Sequence, residues 1–588
     1  MEFIKRLLIN KLLIKKRQTA LMSKKYYSML VSGTVTMMLV SFVMMTDSLI
    51  AGIVLGKTAV EGIGLVLPIH TLATFFGCLF SLGVPVLYST EMGKFNKRQA
   101  DRVFGFGVLM SVVVGVALFL FISLFGDAFL LSCSPPEEVL NLAREYLAWI
   151  RPATLIIPMH MLLAAVVYSD GDETICNIAN SVGGLGNIIC SFFLSRVTGI
   201  RGIGMSTFLF TLISLLLFCI HFFRERNSLR WNLYFSARIF FDVIKYSAVD
   251  ASVYLSLSAV TAVLNAFVSA RFGPDLLILV SAVTLCREFQ IVFDGIGEAV
   301  SPMFGVYLGE ENHSGLRSIY KLANRTAIIE GIVVTFALMV FAPFAPEVLK
   351  VTSPEVADQV VICIRMTALG STFASLLYLL TSYYLVIDQI ALALVVCFMR
   401  DMLLCVPLAL AFGKLWGPQG MFVGIAAAPA LTYVILLNFL TVRYGKKDCP
   451  LLLSRIPGDD NCYLFNFSNE PEQVIDVQGK VEQLLLEHSL DRRVISRTML
   501  LIEELYNIVR ERNGGRAVLC ECTVTIRSDE IRIISKDEGV LFDITGDDAI
   551  VTSLSAYVII SYFEKMEIGR KHLTTMSFNR SVFLIKTC

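Results

Sequence analysis

"YSMLVSGTVTMMLVSFVMMTDSLIAGIVL", Tyr27 to Leu55, is an apolar run with one ionisable carboxylate, Asp47. The run exceeds the ~20 residues that carry a helix across a bilayer. A carboxylate at membrane depth costs a few kcal/mol even on lenient scales, so it is expected to face a cavity or a partner and to have a function. Runs of this kind recur along the chain at short intervals.

The 588 residues are 55% hydrophobic and 17% charged, with mean hydropathy +0.69. That composition excludes an ordinary soluble protein and points to a polytopic helical membrane protein. Twelve spans are expected, near 30–54, 63–88, 104–130, 146–168, 173–197, 203–223, 246–270, 277–306, 323–343, 358–384, 387–413 and 418–441. With the N-terminus inside, "KFNKRQADR" and "RERNSLRWNLYFSARIFFDVIK" face the cytoplasm, while "SPPEEVL" and "SPEVADQ" lie opposite. This agrees with the positive-inside rule and leaves both termini cytoplasmic. Residues 1–28, basic and amphipathic with no small-residue cleavage site, read as a topogenic flank resting on the anionic leaflet.

Internal spacing suggests a repeat. Gly56 and Gly273 are 217 residues apart, as are Pro85 and Pro302; Gly93 and Gly309 are 216 apart. Gly199-x-x-Gly202 and Gly417-x-x-Gly420 are 218 apart, and Arg151 and Arg365 are 214 apart. An even number of spans per half makes the repeats parallel, with substrate expected between them. The divisions are 1–28, an N-lobe at 29–225, a C-lobe at 226–442, a linker at 443–459 and a soluble domain at 460–588. Charge supports the last break: 37 of the 139 residues from Pro450 onward are charged, against 62 of the preceding 449. The fourteen cysteines form no CxxC pair and read as small buried hydrophobes. A net charge of +1 gives no reason to expect nucleic acid.

"TDSLIAGIVLG", "PVLYSTEMGKFNKRQADR", "GNIICSFFLSRVTGIRGIGMST" and "GKLWGPQGMFVGIAAA", in this order, resemble the MATE (multidrug and toxic compound extrusion) family of the MOP superfamily. The resemblance implies an all-α membrane domain of twelve helices in two six-helix repeats. It also implies an antiporter rather than an enzyme, expelling small organic molecules from the plasma membrane against H⁺ or Na⁺ entry. Asp47 matches the family's coupling carboxylate. Asn187 and Ser191 stand where members often carry an Asp in the fifth span, and Asn265 is the seventh-span counterpart of Asp47. The eighth span, "CREFQIVFDGIGEAV", places Arg287, Asp294 and Glu298 at i, i+7 and i+11, on one face of a continuous helix. With His70, the first-half counterpart of Arg287, they are either a substrate or ion site or an ion-paired packing network. Arg400–Asp401 reads as packing.

The soluble segment alternates strand and helix patterns: "CYLFNFS", two amphipathic helices at 470–490 and 491–514, a hairpin at 517–539, a helix at 552–566 and two final strands. A stripe of Val494, Thr498, Leu501, Leu505 and Ile508 is expected to face the core. This order resembles a GHKL ATP-binding domain of the anti-sigma-factor-kinase type, an α/β two-layer sandwich. The resemblance implies Mg-ATP binding. Glu503 and Asn507 lie on one helical face, Asn507 for Mg²⁺ and Glu503 to orient water, and Asp537 with Gly539 would receive the adenine. The family's Gly-rich lid has no equivalent: "VTSLSAYVIISYF" contains no glycine, so backbone N–H groups there cannot approach a phosphate as closely. The domain could instead bind a protein partner. Two other readings stand beside export. One is a flippase for a lipid-linked or amphipathic molecule, and the other a membrane sensor signalling through the soluble domain.

Overall fold

The structure is a computed structural model that describes residues 21–81, 83–132, 136–225, 227–232, 234–349, 351, 353–456, 461–527, 529–542, 555, 557–559, 570–572 and 578–586. Helices dominate as far as residue 444. In order they are α1 (Leu21–Val54), α2 (Lys57–Ser81), α3 (Gly83–Gly93), α4 (Lys97–Ser132), α5 (Glu137–Ser169), α6 (Glu173–Thr198) and α7 (Ile200–Cys219). There follow α8 (Ala237–Phe272), α9 (Ile278–Gln290), α10 (Asp294–Gly309), α11 (His313–Phe341), α12 (Pro354–Ala368), α13 (Ser371–Val386), α14 (Ile390–Phe398) and α15 (Cys405–Tyr444). Among the described residues, eight helices are long and apolar enough to cross a membrane, or nine when the bent pair α12–α13 counts as one. Residues 390–444 enter this count as a single stretch although Gly417 breaks its helical geometry.

The helix breaks come in pairs. Left-handed backbone occurs at Gly56 and Gly273, Phe95 and Glu311, Gly171 and Asp388, and Gly199 and Gly417. Each pair is 216 to 218 residues apart, the spacing of the sequence repeat. Glycine enters this conformation freely, whereas other L-residues pay about 1–2 kcal/mol. Phe95, Glu311 and Asp388 are therefore held there by their surroundings. The helix after two of these turns begins on a side-chain cap: Asp172 accepts from the Ile175 N–H (3.3 Å), and Asn312 from the Gly315 N–H (2.8 Å).

The first half (residues 21–223) and the second (237–444) meet backbone to backbone where glycine permits it. A Cβ on Gly33 of α1 would lie 2.9 Å from the Gly295 carbonyl of α10, and one on Gly309 would lie 2.5 Å from the Gly93 carbonyl carbon. Small residues at such crossings allow close helix packing in lipid. Beyond α15 the linker is seated on α13, where the Tyr383 and Tyr384 hydroxyls donate to the carbonyls of Leu451 (2.7 Å) and Pro450 (3.0 Å).

The C-terminal segment forms β1 (Cys462–Ser468), β2 (Leu519–Ile526), β3 (Glu530–Asp537), β4 (Arg570–His572) and β5 (Asn579–Lys586), with α16 (Pro471–Glu487) and α17 (Arg492–Arg512). The strands make one sheet, ordered β1-β2-β3-β5-β4, antiparallel throughout. Both helices pack on one of its faces. The expected stripe on α17 is buried there, against Cys520, Cys522, Val524, Ile531, Ile533 and Phe583. Of the helix expected at 552–566, only Ser555 and residues 557–559 are described, as helix, so the lid segment lies largely outside the described residues. The second face carries Glu521, Thr523, Lys536 and Arg580, an alternation that ordinarily faces water. Here those four are about 1% exposed, because the sheet sits on the membrane domain.

Candidate functional site

Asp47 is held by two neutral donors from other helices. Tyr146 of α5 donates to its Oδ2 (2.9 Å), as does Thr207 of α7 (3.1 Å). Its Oδ1 is buried and accepts no hydrogen bond. A buried polar atom left unsatisfied costs about 1–3 kcal/mol, and a proton or a small cation would relieve that cost. Asn187 lies close by on α6: its Oδ1 accepts from Ser191 (3.0 Å), and its carbonyl accepts from Ser206, the neighbour of Thr207 (3.0 Å). Among the described residues, no hydrogen bond joins Asn187 or Ser191 directly to Asp47. Asn265 is exposed on α8 in the other half and stands apart from this group. Sequence reasoning missed Tyr146 and Thr207. The available signal was the polar pair Ser206–Thr207 in "GIRGIGMST", at the membrane depth of the carboxylate.

The second half has its own charged cluster. Arg400 binds Asp401 through two parallel bonds (2.7 and 2.8 Å) and stacks on the Tyr378 ring at 3.8 Å. It is 3% exposed, and its Nη1 has no partner. A single π-helical turn, Met399–Leu403, places it there; such turns are frequent at functional positions. Arg287 reaches the same turn, donating to Cys405 Sγ (3.1 Å) and, at 3.5 Å, approaching the Asp401 carbonyl. Asp294 lies within electrostatic reach of Arg400 and Asp401. Glu298 lies instead within electrostatic reach of Tyr168 and Cys176 of the first half. Between Arg287 and Asp294 the turn Ile291–Phe293 is 3₁₀ rather than α, which rotates Asp294 and Glu298 relative to Arg287 by a fraction of a turn. His70, on α2, shares no hydrogen bond with Arg287 among the described residues.

Glu330 of α11 is a further half-buried carboxylate that sequence reasoning passed over. Thr34 of α1 donates to its Oε1 (3.3 Å), and its Oε2 is buried without a partner. The signal was the one that marked Asp47: a lone acid in an apolar run, "TAIIEGIVVTFALMVF".

In the C-terminal domain, Asp537 Oδ1 accepts from the Gly539 N–H (3.0 Å) and Asn579 Nδ2 (2.8 Å). Burial pushes its carboxyl up to about 6, against those hydrogen bonds. A side chain at Gly539 would collide with Asn513 and Asp537, so close approach is confined to glycine there. Glu503 and Asn507 are exposed on α17 and share no hydrogen bond with Asp537.

An extensive polar cluster joins the sheet to the membrane domain. Glu310, between α10 and α11, accepts from Lys536 Nζ (2.8 Å) and Arg580 Nε (2.7 Å). Lys536 also donates to Glu521 (2.8 Å), whose other oxygen accepts from Tyr307 (2.8 Å). Arg580 donates to the carbonyls of Met92 and Gly93 (both 2.5 Å) and stacks on Phe95 at 3.8 Å. Asn312 donates to Thr523 (3.2 Å), and Arg527 pairs with Glu311. Burial alone would raise the Glu310 carboxyl, yet Lys536 and Arg580 hold it below the usual carboxylate range.

The MatE family model matches residues 34–193. No curated protein matches the sequence. Among solved structures, "Outward-facing conformation of a multidrug resistance MATE family transporter of the MOP superfamily" aligns at 18% identity and TM-score 0.67, over 74% of this chain and all of that one. "Crystal structure of MATE in the bent conformation" aligns at 18% and 0.64, over 72% of this chain and 96% of that one. A MOP superfamily transporter from Pyrococcus furiosus, reported with a binding pocket of reverse polarity, aligns at 17% and 0.64, over 70% and 93%. The helical part of the chain therefore has the fold of these transporters. About a quarter of the chain lies outside the matched part, which is the size of the C-terminal domain.

Proposed function

We propose that this chain is a cation-coupled antiporter that exports lipophilic organic molecules by alternating access. Its twelve spans would form two rocking halves, with both termini in the cytoplasm and the C-terminal domain regulating the cycle. Asp47 carries the proposal. Its Oδ2 is fixed by Tyr146 and Thr207 while its buried Oδ1 is bare, the arrangement a reversible H⁺ or Na⁺ site requires. Taking up the cation would remove the cost of the bare oxygen and let α1 repack against α5 and α7. Asn187 and Ser191, one helix away, are neutral oxygen donors for such an ion. Cells expressing the protein should accumulate less of a fluorescent lipophilic cation than control cells, and Asp47→Asn should abolish the difference. Export unaltered by Asp47→Asn would remove the coupling role.

A second reading, a flippase for an amphipathic molecule with an anionic headgroup, is favoured by the Arg400 Nη1, buried in the second half without a partner. Transbilayer movement of a fluorescent anionic lipid in proteoliposomes, lost in Arg400→Gln while cation export persists, would favour it.

For the C-terminal domain, Asp537 and Gly539 would receive an adenine edge, and Asn507 with Glu503 would face the metal-bound phosphates. Bound Mg-ATP would supply charge at that exposed helix face. Calorimetry on the full-length protein should detect Mg-ATP binding that Asn507→Ala removes. Absence of binding at millimolar nucleotide would instead leave a protein-docking module, and the signalling alternative would then turn on its partner.

A further inference from the structure

Arg580 touches both halves of the membrane domain at once. Its Nε is bonded to Glu310 of the second half, and its two terminal nitrogens are bonded to the Met92 and Gly93 carbonyls of the first. These are the repeat-related turns Gly93–Asn96 and Gly309–Asn312, and they touch each other glycine to glycine. Ile534, Val582 and Leu584 of the sheet pack on Phe95 of the first turn. Thr523 and Arg527 hold Asn312 and Glu311 of the second. The sheet thus binds the two turns in the arrangement in which they touch. In a transporter whose halves rock about a central site, each half must part from the other at one membrane face and then at the opposite one. Parting at this end would separate the Met92 and Gly93 carbonyls from Glu310 and leave Arg580 with one set of partners in place of two. Lys536 keeps Glu521 within the sheet, but Glu310 has its two cations and Arg580 its acid only while the sheet is seated.

We propose that the C-terminal domain is a lock on the cytoplasmic gate: while its sheet bridges the two turns, the halves stay closed on that side, and lifting the sheet frees them to open. The lock's role in transport rests on the antiporter reading, but the bridge itself does not.

Hydrogen–deuterium exchange of the full-length protein in nanodiscs tests it, comparing wild type with Arg580→Gln, Arg580→Lys and Glu310→Gln. Wild type should protect the turns (90–97 and 309–316) and the helix crossing behind them (29–36 and 293–300). Arg580→Gln should speed exchange in all four segments about tenfold or more, with residues 474–485 and 498–509 of the domain core unchanged and Arg580→Lys in between. Glu310→Gln, which leaves the sheet's own sequence intact, should give the same pattern if the bridge and not the fold of the domain is what matters. Wild-type exchange at 29–36 and 293–300 in both Arg580→Gln and Glu310→Gln overturns the lock. Dye export measured on the same proteins separates the two readings. Faster export by the unlocked variants supports both. Exchange that rises as expected with no export by any of the proteins leaves the lock standing and overturns the antiporter.

Discussion

Asp47 and Glu310 are both carboxylates drawn away from water, and the protein meets that cost in opposite ways. Asp47 has two neutral hydroxyl donors on one oxygen and nothing on the other. Glu310 has a cation on each oxygen, Lys536 on Oε2 and Arg580 on Oε1. Neutral donors leave room for a further charge, so a carboxylate held that way can exchange a cation. One already saturated by fixed cations has nothing to gain by exchange, and its ionic form is structural. Burial of an acid in an apolar chain is therefore only half of a functional signal; the charge of its partners supplies the other half.

The largest expected effect tests the first side of that comparison. Asp47→Asn keeps the hydrogen-bonding shape and removes the charge, so export should fall to background while thermal stability in detergent changes little. Next comes Glu310→Ala, which leaves Arg580 buried without its acid and Lys536 with Glu521 alone. Loss of one partner from a buried pair costs about 3–5 kcal/mol, seen as earlier thermal release of the C-terminal domain from the membrane domain. Tyr146→Phe should be milder: losing one neutral bond of about 1 kcal/mol shifts apparent cation affinity about fivefold, read as a displaced pH or Na⁺ dependence of export.

Asp537 sharpens the contrast in a third way, as an acid buried without a cation. Its folded carboxyl sits near 6, above its unfolded value, so between pH 4 and 6 the folded state binds more protons. The stability of the C-terminal domain should accordingly fall as pH rises through that window, by an amount on the order of 2 kcal/mol. Asp537→Asn should flatten the profile measured by thermal unfolding. Lys24→Ala comes last. Its ion pair with Glu538 is half exposed on the lysine side, so its loss should change stability by less than about 1 kcal/mol.

Asp47 was legible in the sequence because hydrocarbon makes a lone acid conspicuous. The ends of α1, α6 and α8 were legible because Gly56, Gly199 and Gly273 sit where the chain turns left-handed. The α17 stripe followed from helical periodicity. The dock was not legible: Glu521, Lys536 and Arg580 alternate with apolar residues as on any sheet with one wet face, and no local pattern distinguishes water from a second domain. The π turn at Met399–Leu403 and the 3₁₀ turn at Ile291–Phe293 were hidden for a related reason. Each alters helical phase by a fraction of a turn without a glycine or proline to mark it, so the partners of Arg400 and the relative angles of Arg287, Asp294 and Glu298 could not be read from spacing.

The paired turns at Phe95 and Glu311 have nearly the same backbone, φ 56° and 60°, but not the same side chains. Two identical sockets related by a twofold axis would offer an asymmetric domain two equivalent ways to sit. Here Lys94 points outward and pairs with Glu91, whereas its counterpart Glu310 is buried under Lys536 and Arg580. One exchange of charge sign between duplicated positions keys the seat: Lys536 and Arg580 find an acid at one turn, where the other carries a lysine.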